Sequence, residues 1–153
     1  MDLKERIQAL AKQFHADVVA CRRHLHQHPE LSFHEVETQK FVEQKLKEFG
    51  VSDMKRMANT GVVVLVKGKN PDKKVVALRA DMDALPIQET NKAEYRSQNA
   101  GVMHACGHDV HTSSLLGAVR ILNELKNEFE GTVMLVSHDR EFLDAITRVT
   151  VHL

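Results

Sequence analysis

The chain has 153 residues, 21 basic and 21 acidic side chains, and two cysteines. Its zero net charge gives no reason to expect a nucleic-acid or membrane-surface partner, although it permits self-association into a homo-oligomer. The longest apolar run, 61–66, is far shorter than a membrane span, and the charged N-terminus lacks the apolar core of a signal peptide. Two cysteines do not make a disulfide framework, and a reducing, cytoplasmic location fits one domain of this size.

Two amphipathic helices are predicted in the first 50 residues. The first should be long and end near Pro29, because apolar residues recur at three to four residues or multiples of that spacing. These residues are Leu3, Ile7, Leu10, Phe14, Val18 and Leu25. Ser32 and Glu35 have the spacing of a capping box that would open the second helix, and Gly50 would end it.

Strands and a third helix are predicted next. Residues 61–67 and 74–80 are rich in β-branched side chains and should form an antiparallel hairpin or two adjacent strands. Residues 88–108 are polar and loop-like, and long loops in compact domains are often functional. Asp109 is the expected N-cap of the third helix, and residues 132–136 should form another strand. The apolar face of the third helix should carry Leu115, Val119, Leu122 and Leu125. This order of elements predicts an α/β fold.

The most reactive residues are concentrated in two short segments. Residues 103–111 include three histidines, one cysteine and one aspartate, and zinc prefers thiolate and imidazole ligands. Cys106 and His108 are two positions apart, so an extended segment can present both on one face. Asp81 and Asp83 follow an apolar run. A buried thiol and turn-capping acids would explain each segment separately, but together they favour a metal site.

A second histidine cluster allows an alternative metal site. His24 and His28 are four positions apart, so a helix would place both on one face. Histidines near a helix C-terminus are also favoured by the helix dipole, which is the simpler interpretation. Cys21 on the same helix is expected to be a packing residue.

Four blocks of sequence, in order, resemble one enzyme family. Residues 22–33, 60–63, 79–86 and 104–111 are similar to signature segments of the metal-dependent N-acyl-amino-acid amidohydrolases. That family includes hippurate hydrolases, aminoacylases and plant auxin-conjugate hydrolases, and the resemblance extends from about residue 5 to 136. It implies a mixed sheet flanked by helices, here as an incomplete metallopeptidase-like catalytic domain without the family's second, dimerisation domain.

The resemblance also implies an activity and a set of site residues. The activity is hydrolysis of the amide bond in an N-acyl amino acid or small peptide, with two divalent metal ions in the site, zinc or manganese. Cys106 and His108 match metal-ligand positions, and Asp83 matches an aspartate beside the site that orients a ligand, which makes it the candidate catalytic residue. Asp81 stands where more distant relatives have a ligand histidine, so its role stays open.

The last 17 residues, 137–153, depart from this family. The family continues with an aromatic residue, Gln-Pro and two glutamates, one the general base and the other a metal ligand. This chain instead reads SHDREFLD, similar to the segment around the switch histidine of ABC-F ATPases, although the sequence contains no P-loop that would give His138 a nucleotide. Glu141 lies near the general-base position by count, but in this foreign context.

These features predict two parts for the chain. Residues 1–136 would be a truncated amidohydrolase catalytic domain, and residues 137–153 a foreign tail. Gene fusion, recombination, or a reading-frame or assembly accident would each produce such a tail. Activity is expected to be impaired, because the glutamate pair and later ligands are missing. The alternative is a non-catalytic fragment, or a self-associating module that buries an unpaired sheet edge.

Overall fold

A computed structural model describes residues 2–137, and the predicted tail lies outside them except for Ser137. This part of the chain contains three α-helices, four strands and a short 3₁₀ turn. The helices are α1 (Leu3–Gln27), α2 (Val36–Glu48) and α3 (His108–Glu124). The strands are β1 (Met54–Met57), β2 (Gly61–Lys67), β3 (Val75–Ala80) and β4 (Thr132–Ser137), with the 3₁₀ turn at Pro71–Lys73.

The first helix forms as its sequence predicts. Asp2 is the N-cap and accepts a hydrogen bond from the Glu5 backbone N–H (2.7 Å), while the Glu5 carboxylate accepts one from the Asp2 N–H (3.0 Å). This reciprocal capping satisfies donors that a helix start leaves unpaired. α1 ends at Gln27, two residues before Pro29, which cannot donate a helical hydrogen bond.

The predicted capping box of the second helix is wrong. α2 begins at Val36 with Glu35 as its N-cap, and no side chain of that cap bonds the helix. The Glu30 carboxylate replaces it, accepting from the N–H groups of Glu37 (3.2 Å) and Thr38 (2.7 Å). The carboxylate of Glu35 is buried and accepts from the Thr60 hydroxyl (2.7 Å), so tertiary contacts override the local capping pattern.

The sheet is mixed, and its strand order corrects a second prediction. The order is β1-β2-β4-β3, with β2 antiparallel to both β1 and β4, and β3 parallel to β4. β2 and β3 are therefore neither a hairpin nor neighbours, since β4 lies between them. The parallel β3–β4 pair requires a long crossover, which α3 supplies. β1 was not predicted, because the strand has only four residues and most of them are exposed.

The core lies between the helices and one face of the sheet. Alternate residues of β2, namely Val62, Val64 and Val66, are buried in one cluster with apolar residues of α2 and α3. The opposite face has a smaller cluster of Ala77 and Val136, with Val63 and Met134 packed against it. The predicted apolar face of the third helix is confirmed, since Leu115, Val119 and Leu125 are buried. The predicted α/β class with a mixed sheet is also confirmed.

Within residues 2–137, no helix combines the length and the apolar character that crossing a membrane demands.

Candidate functional site

The sheet topology brings the two reactive segments together. Because β3 and β4 are parallel, with Ala80 opposite Ser137, their carboxyl ends meet at one edge, and Asp81–Asp83 leave the sheet there. Open α/β sheets usually bind ligands outside the carboxyl ends of their strands. Two backbone hydrogen bonds between Leu85 and Met103, each 3.0 Å, then close the long loop and place residues 103–108 beside this edge.

His108 is held by Asp83 through one ring nitrogen. Its Nδ1 donates to the Asp83 carboxylate Oδ1 (2.8 Å) and lies 3.0 Å from the Asp83 carbonyl oxygen. Both partners are acceptors, so Nδ1 must be protonated, and in the neutral ring the lone pair is then on Nε2. Metal-binding histidines usually have such an outer carboxylate partner. The predicted proximity of Asp83 and His108 is confirmed.

Cys106 and Gly107 complete the turn that leads into α3. The Cys106 side chain is exposed, and Gly107 is the helix N-cap with φ of +86°. That backbone region is strained for residues with a Cβ atom, so glycine suits this turn. The thiol is thus accessible next to the start of the helix that presents His108.

The donor set is incomplete within the described part of the chain. Across residues 2–137, no group of three or more His, Cys, Asp or Glu side chains is arranged to hold a metal ion. Cys106 and His108 fit a divalent metal by their chemistry, as two ligands, whereas catalytic zinc sites typically have three protein ligands. Their assignment as ligands, and that of Asp83 as their catalytic partner, stays a prediction.

Asp81 faces a different partner. Its carboxylate forms an ion pair with Arg79, and its backbone carbonyl accepts from the Thr112 hydroxyl (2.8 Å). These contacts tie the end of β3 to α3. They favour a structural role for this aspartate.

A buried histidine beside the site was not singled out by sequence reasoning. His104 is 5% exposed, and neither of its ring nitrogens has a hydrogen-bond partner. Burial is the main cause that lowers its pKa, to about 4, so the ring is neutral at pH 7. The sequence contains no local signal for this environment.

A second group missed by sequence reasoning consists of the buried His26, Glu89 and Asp109 and the partly buried Arg22, here called the carboxylate–imidazole cluster. His26 Nδ1 lies 2.7 Å from Asp109 Oδ2, and His26 Nε2 lies 2.9 Å from Glu89 Oε1. Arg22 Nε is 3.0 Å from the same Asp109 oxygen. The prediction that Asp109 caps the third helix is therefore wrong: Gly107 is the N-cap, and the Asp109 side chain is buried against α1.

The alternative histidine pair lies apart from this group. The rings of His24 and His28 have centroids 4.6 Å apart, and His24 stacks on Phe41 at 4.1 Å. Burial, together with His28 and Lys45, lowers the pKa of His24. The stacking supports a packing role. Cys21 is buried, as predicted for a packing residue.

Comparison with known sequences links the chain to a hydrolase family. The family model described as peptidase family M20/M25/M40 matches residues 77–141. An N-acyl-L-amino acid amidohydrolase from Geobacillus stearothermophilus is 49% identical over 139 residues, which are 90% of this chain and 37% of that protein.

Solved structures agree with this match. An aminohydrolase from methicillin-resistant Staphylococcus aureus is similar with a TM-score of 0.81 and 41% identity, over 88% of this chain and 36% of that one. A dinuclear metal-binding peptidase of the M20 family from Bacillus subtilis is similar with a TM-score of 0.77 and 43% identity, over 88% and 38%. The chain thus spans a little over a third of the length of these relatives. By fold and sequence together, the chain is similar to hydrolases of peptidase family M20/M25/M40.

Proposed function

We propose that this chain forms part of the active site of a metal-dependent amidohydrolase that cleaves N-acyl amino acids or small peptides. The observation that supports this most is the Asp83–His108 hydrogen bond of 2.8 Å, which leaves Nε2 of His108 available beside the exposed Cys106 thiol. The similarity to an N-acyl-L-amino acid amidohydrolase and to a dinuclear metal-binding peptidase supports the same substrate class and a metal requirement.

In this proposal each residue has a distinct task. Cys106 and His108 would hold a divalent metal, zinc or manganese, and Asp83 would fix the tautomer and direction of the His108 ring. When bound, the metal supplies Lewis-acid chemistry that activates water near neutral pH. A thiolate ligand also requires reduced cysteines, and Cys21 and Cys106 are both free thiols, which supports a cytoplasmic location.

We further propose that the 153-residue polypeptide hydrolyses such substrates slowly when assayed by itself. Residues 2–137 present too few converging ligands, and SHDREFLD replaces the segment in which the family has its glutamate pair. Loss of a general base alone typically lowers the rate about 10²–10⁴-fold. The division into an amidohydrolase part, 1–136, and a tail, 137–153, belongs to this proposal.

An assay of several N-acetyl amino acids with added zinc, manganese or cobalt tests the activity. We expect slow, metal-dependent release of the amino acid that Cys106→Ala or His108→Ala abolishes, while His15→Gln, an exposed change on α1, leaves it unchanged. Hydrolysis that persists in Cys106→Ala with His108→Ala would contradict the proposed site. Turnover of about one per second, within the usual enzyme range, that Glu141→Gln abolishes would contradict the expected impairment.

A self-associating module is a second candidate, and one observation favours it. β3 pairs with β4 on one side, and along it Val75 and Val76 are 61% and 41% exposed. An exposed apolar edge strand can pair with a second chain. Sedimentation at several concentrations should then show a dimer that Val75→Lys disrupts, while a monomer at all concentrations would contradict this candidate.

A further inference from the structure

The carboxylate–imidazole cluster joins three separate parts of the chain next to the candidate metal site. Arg22 and His26 lie in the last turns of α1, Glu89 lies in the long loop, and Asp109 lies in the first turn of α3. The side chains of His26, Glu89 and Asp109 are 4%, 2% and 1% exposed. Asp109 directly follows His108, so a contact that fixes Asp109 also limits the movement of His108.

We propose that His26 is a positioning residue for the Cys106–Gly107–His108 segment, acting through its hydrogen bond to Asp109. The inference rests on the proposed function, because it concerns how that segment is set for metal binding. A metal site needs its ligands held to within a fraction of an ångström by surrounding contacts. Asp83 fixes the His108 ring from the sheet side, and His26 fixes the backbone of the same helix turn from the α1 side.

The geometry distinguishes the two hydrogen bonds of His26. Carboxylate oxygens accept, so a ring nitrogen that bears a proton donates to the carboxylate it faces, Nδ1 to Asp109 or Nε2 to Glu89. Only the Nδ1 contact reaches the helix that contains His108, while the Nε2 contact reaches Glu89, which also accepts from the Ser97 and Asn91 nitrogens. Positioning of the site should therefore depend on the Nδ1 contact.

Two amide substitutions separate these contacts. The side-chain nitrogen of asparagine lies at about the position of Nδ1, and that of glutamine at about the position of Nε2. His26→Asn can keep the donor to Asp109, and His26→Gln can keep the donor to Glu89. His15→Gln on the exposed face of the same helix is the matched control. Asp109→Asn weakens the same contact from the other side, with a side chain of nearly equal size.

The experiment measures two quantities on the full chain and these variants. The first is zinc affinity, with the absorption spectrum of the cobalt-substituted protein as a direct report on the ligands. The second is hydrogen exchange without metal at the Val110 and His111 amides, which both donate to the Gly107 carbonyl in the first turn of α3. Amides paired between β2 and β4 serve as the reference for overall stability.

A positioning role predicts a specific pattern. His26→Gln should weaken zinc binding about tenfold, the lower end for loss of an outer partner of a metal ligand, and alter the cobalt spectrum. It should speed exchange at Val110 and His111 more than in the sheet. His26→Asn should stay close to the parent, Asp109→Asn should resemble His26→Gln, and His15→Gln should change nothing.

Other outcomes overturn the inference or separate it from the proposed function. Unchanged zinc affinity and unchanged exchange at Val110 and His111 in a folded His26→Gln chain would overturn it. The inference would also be overturned if His26→Asn and His26→Gln speeded exchange equally and over the whole sheet, because that pattern indicates a general packing role. If the parent binds no zinc, or keeps it in Cys106→Ala with His108→Ala, the proposed function fails. In that case, faster exchange at Val110 and His111 in His26→Gln than in His26→Asn would still support the positioning role of His26. Equal exchange in the two variants would overturn it.

Discussion

At the scale of single residues, two aspartates near the candidate site, Asp83 and Asp81, have different partners. Asp83 accepts from Nδ1 of His108, which leaves the opposite nitrogen available, and Asp81, two residues earlier, is paired with Arg79. Two carboxylates in one short motif therefore have different surroundings. Their contacts differ because Asp83 has passed the sheet edge, while Asp81 directly follows the last residue of β3.

This difference leads to a paired prediction for metal affinity. Asp83→Ala should weaken zinc binding about 10–100-fold, because the His108 ring loses the partner that orients it. Asp81→Ala is the matched comparison and should have a much smaller effect. Calorimetric or competition titrations of both variants measure this. An Asp81→Ala chain that binds zinc more weakly than Asp83→Ala would show that the wrong aspartate has been assigned.

Glu89 gives a prediction about pH. Burial by itself raises the pKa of Glu89, but hydrogen bonds from His26, the Ser97 N–H and Asn91 outweigh burial and lower it below its ordinary value of 4.5. The folded state then binds this proton less readily than the unfolded state. Ionised Glu89 therefore contributes stability above about pH 4.5, and that contribution is lost as the pH falls through the folded pKa.

Glu89→Gln should consequently lower the free energy of unfolding at pH 7 by about 1–3 kcal/mol and flatten its dependence on pH below about 4.5. Glu94→Gln, an exposed change in the same loop, should alter neither quantity. Urea unfolding at a series of pH values tests this. An equally steep acid dependence in Glu89→Gln would mean that other groups account for it.

At the scale of elements, α1 and α3 approach each other closely at one glycine. A Cβ atom built on Gly117 would lie 2.7 Å from Cγ2 of Val18, a β-branched side chain with little freedom to move. Alanine in place of glycine in an exposed helix usually stabilises by about 1 kcal/mol. At Gly117, the steric clash of the new Cβ atom with Val18 should cost more free energy than this gain.

Gly117→Ala should therefore lower the free energy of unfolding by about 1–3 kcal/mol, the usual cost of overpacking. Adding Val18→Ala should restore much of the loss, because it removes the atom that the new Cβ meets. Ser114→Ala, exposed one turn earlier, serves as the control. A Gly117→Ala chain more stable than the parent would contradict this view of the helix crossing.

The elements differ in how far the sequence could predict them. Periodicity predicts α1 and the buried face of α3, because it depends on local spacing. Strand partners are not local: the runs at β2 and β3 look like a hairpin, yet β4, more than 50 residues after β3, inserts between them. The α2 cap likewise comes from Glu30, outside the predicted capping box.

At the scale of the whole molecule, the candidate site joins residues that are distant in the chain. Residue types predict the Cys106–His108 pair and the two aspartates that follow β3, because soft ligands and strand-end acids have recognisable chemistry. The choice of Asp83 over Asp81 comes from the family resemblance. The carboxylate–imidazole cluster could not be found in this way. Its contacts span 63 and 83 residues, and single histidines and acids have no pattern that predicts their partners.

The length of the relatives also bears on the candidate site. It spans a little over a third of the length of the amidohydrolase and the solved structures that it matches. Residues 2–137 contain two candidate ligands and Asp83, which is hydrogen-bonded to one of them, without a third converging ligand. Metal binding at Cys106 and His108 is therefore the central proposal, and the proposed hydrolysis depends on it.

Cobalt titration of the full chain tests that claim most directly. Coordination to cobalt deprotonates the thiol, and charge transfer from the resulting thiolate to cobalt gives an intense near-ultraviolet absorption band. The account predicts that this band appears, disappears in Cys106→Ser, and forms only at higher cobalt concentration in His108→Gln. An unchanged cobalt affinity in Cys106→Ala with His108→Ala would contradict it and place the metal elsewhere in the chain.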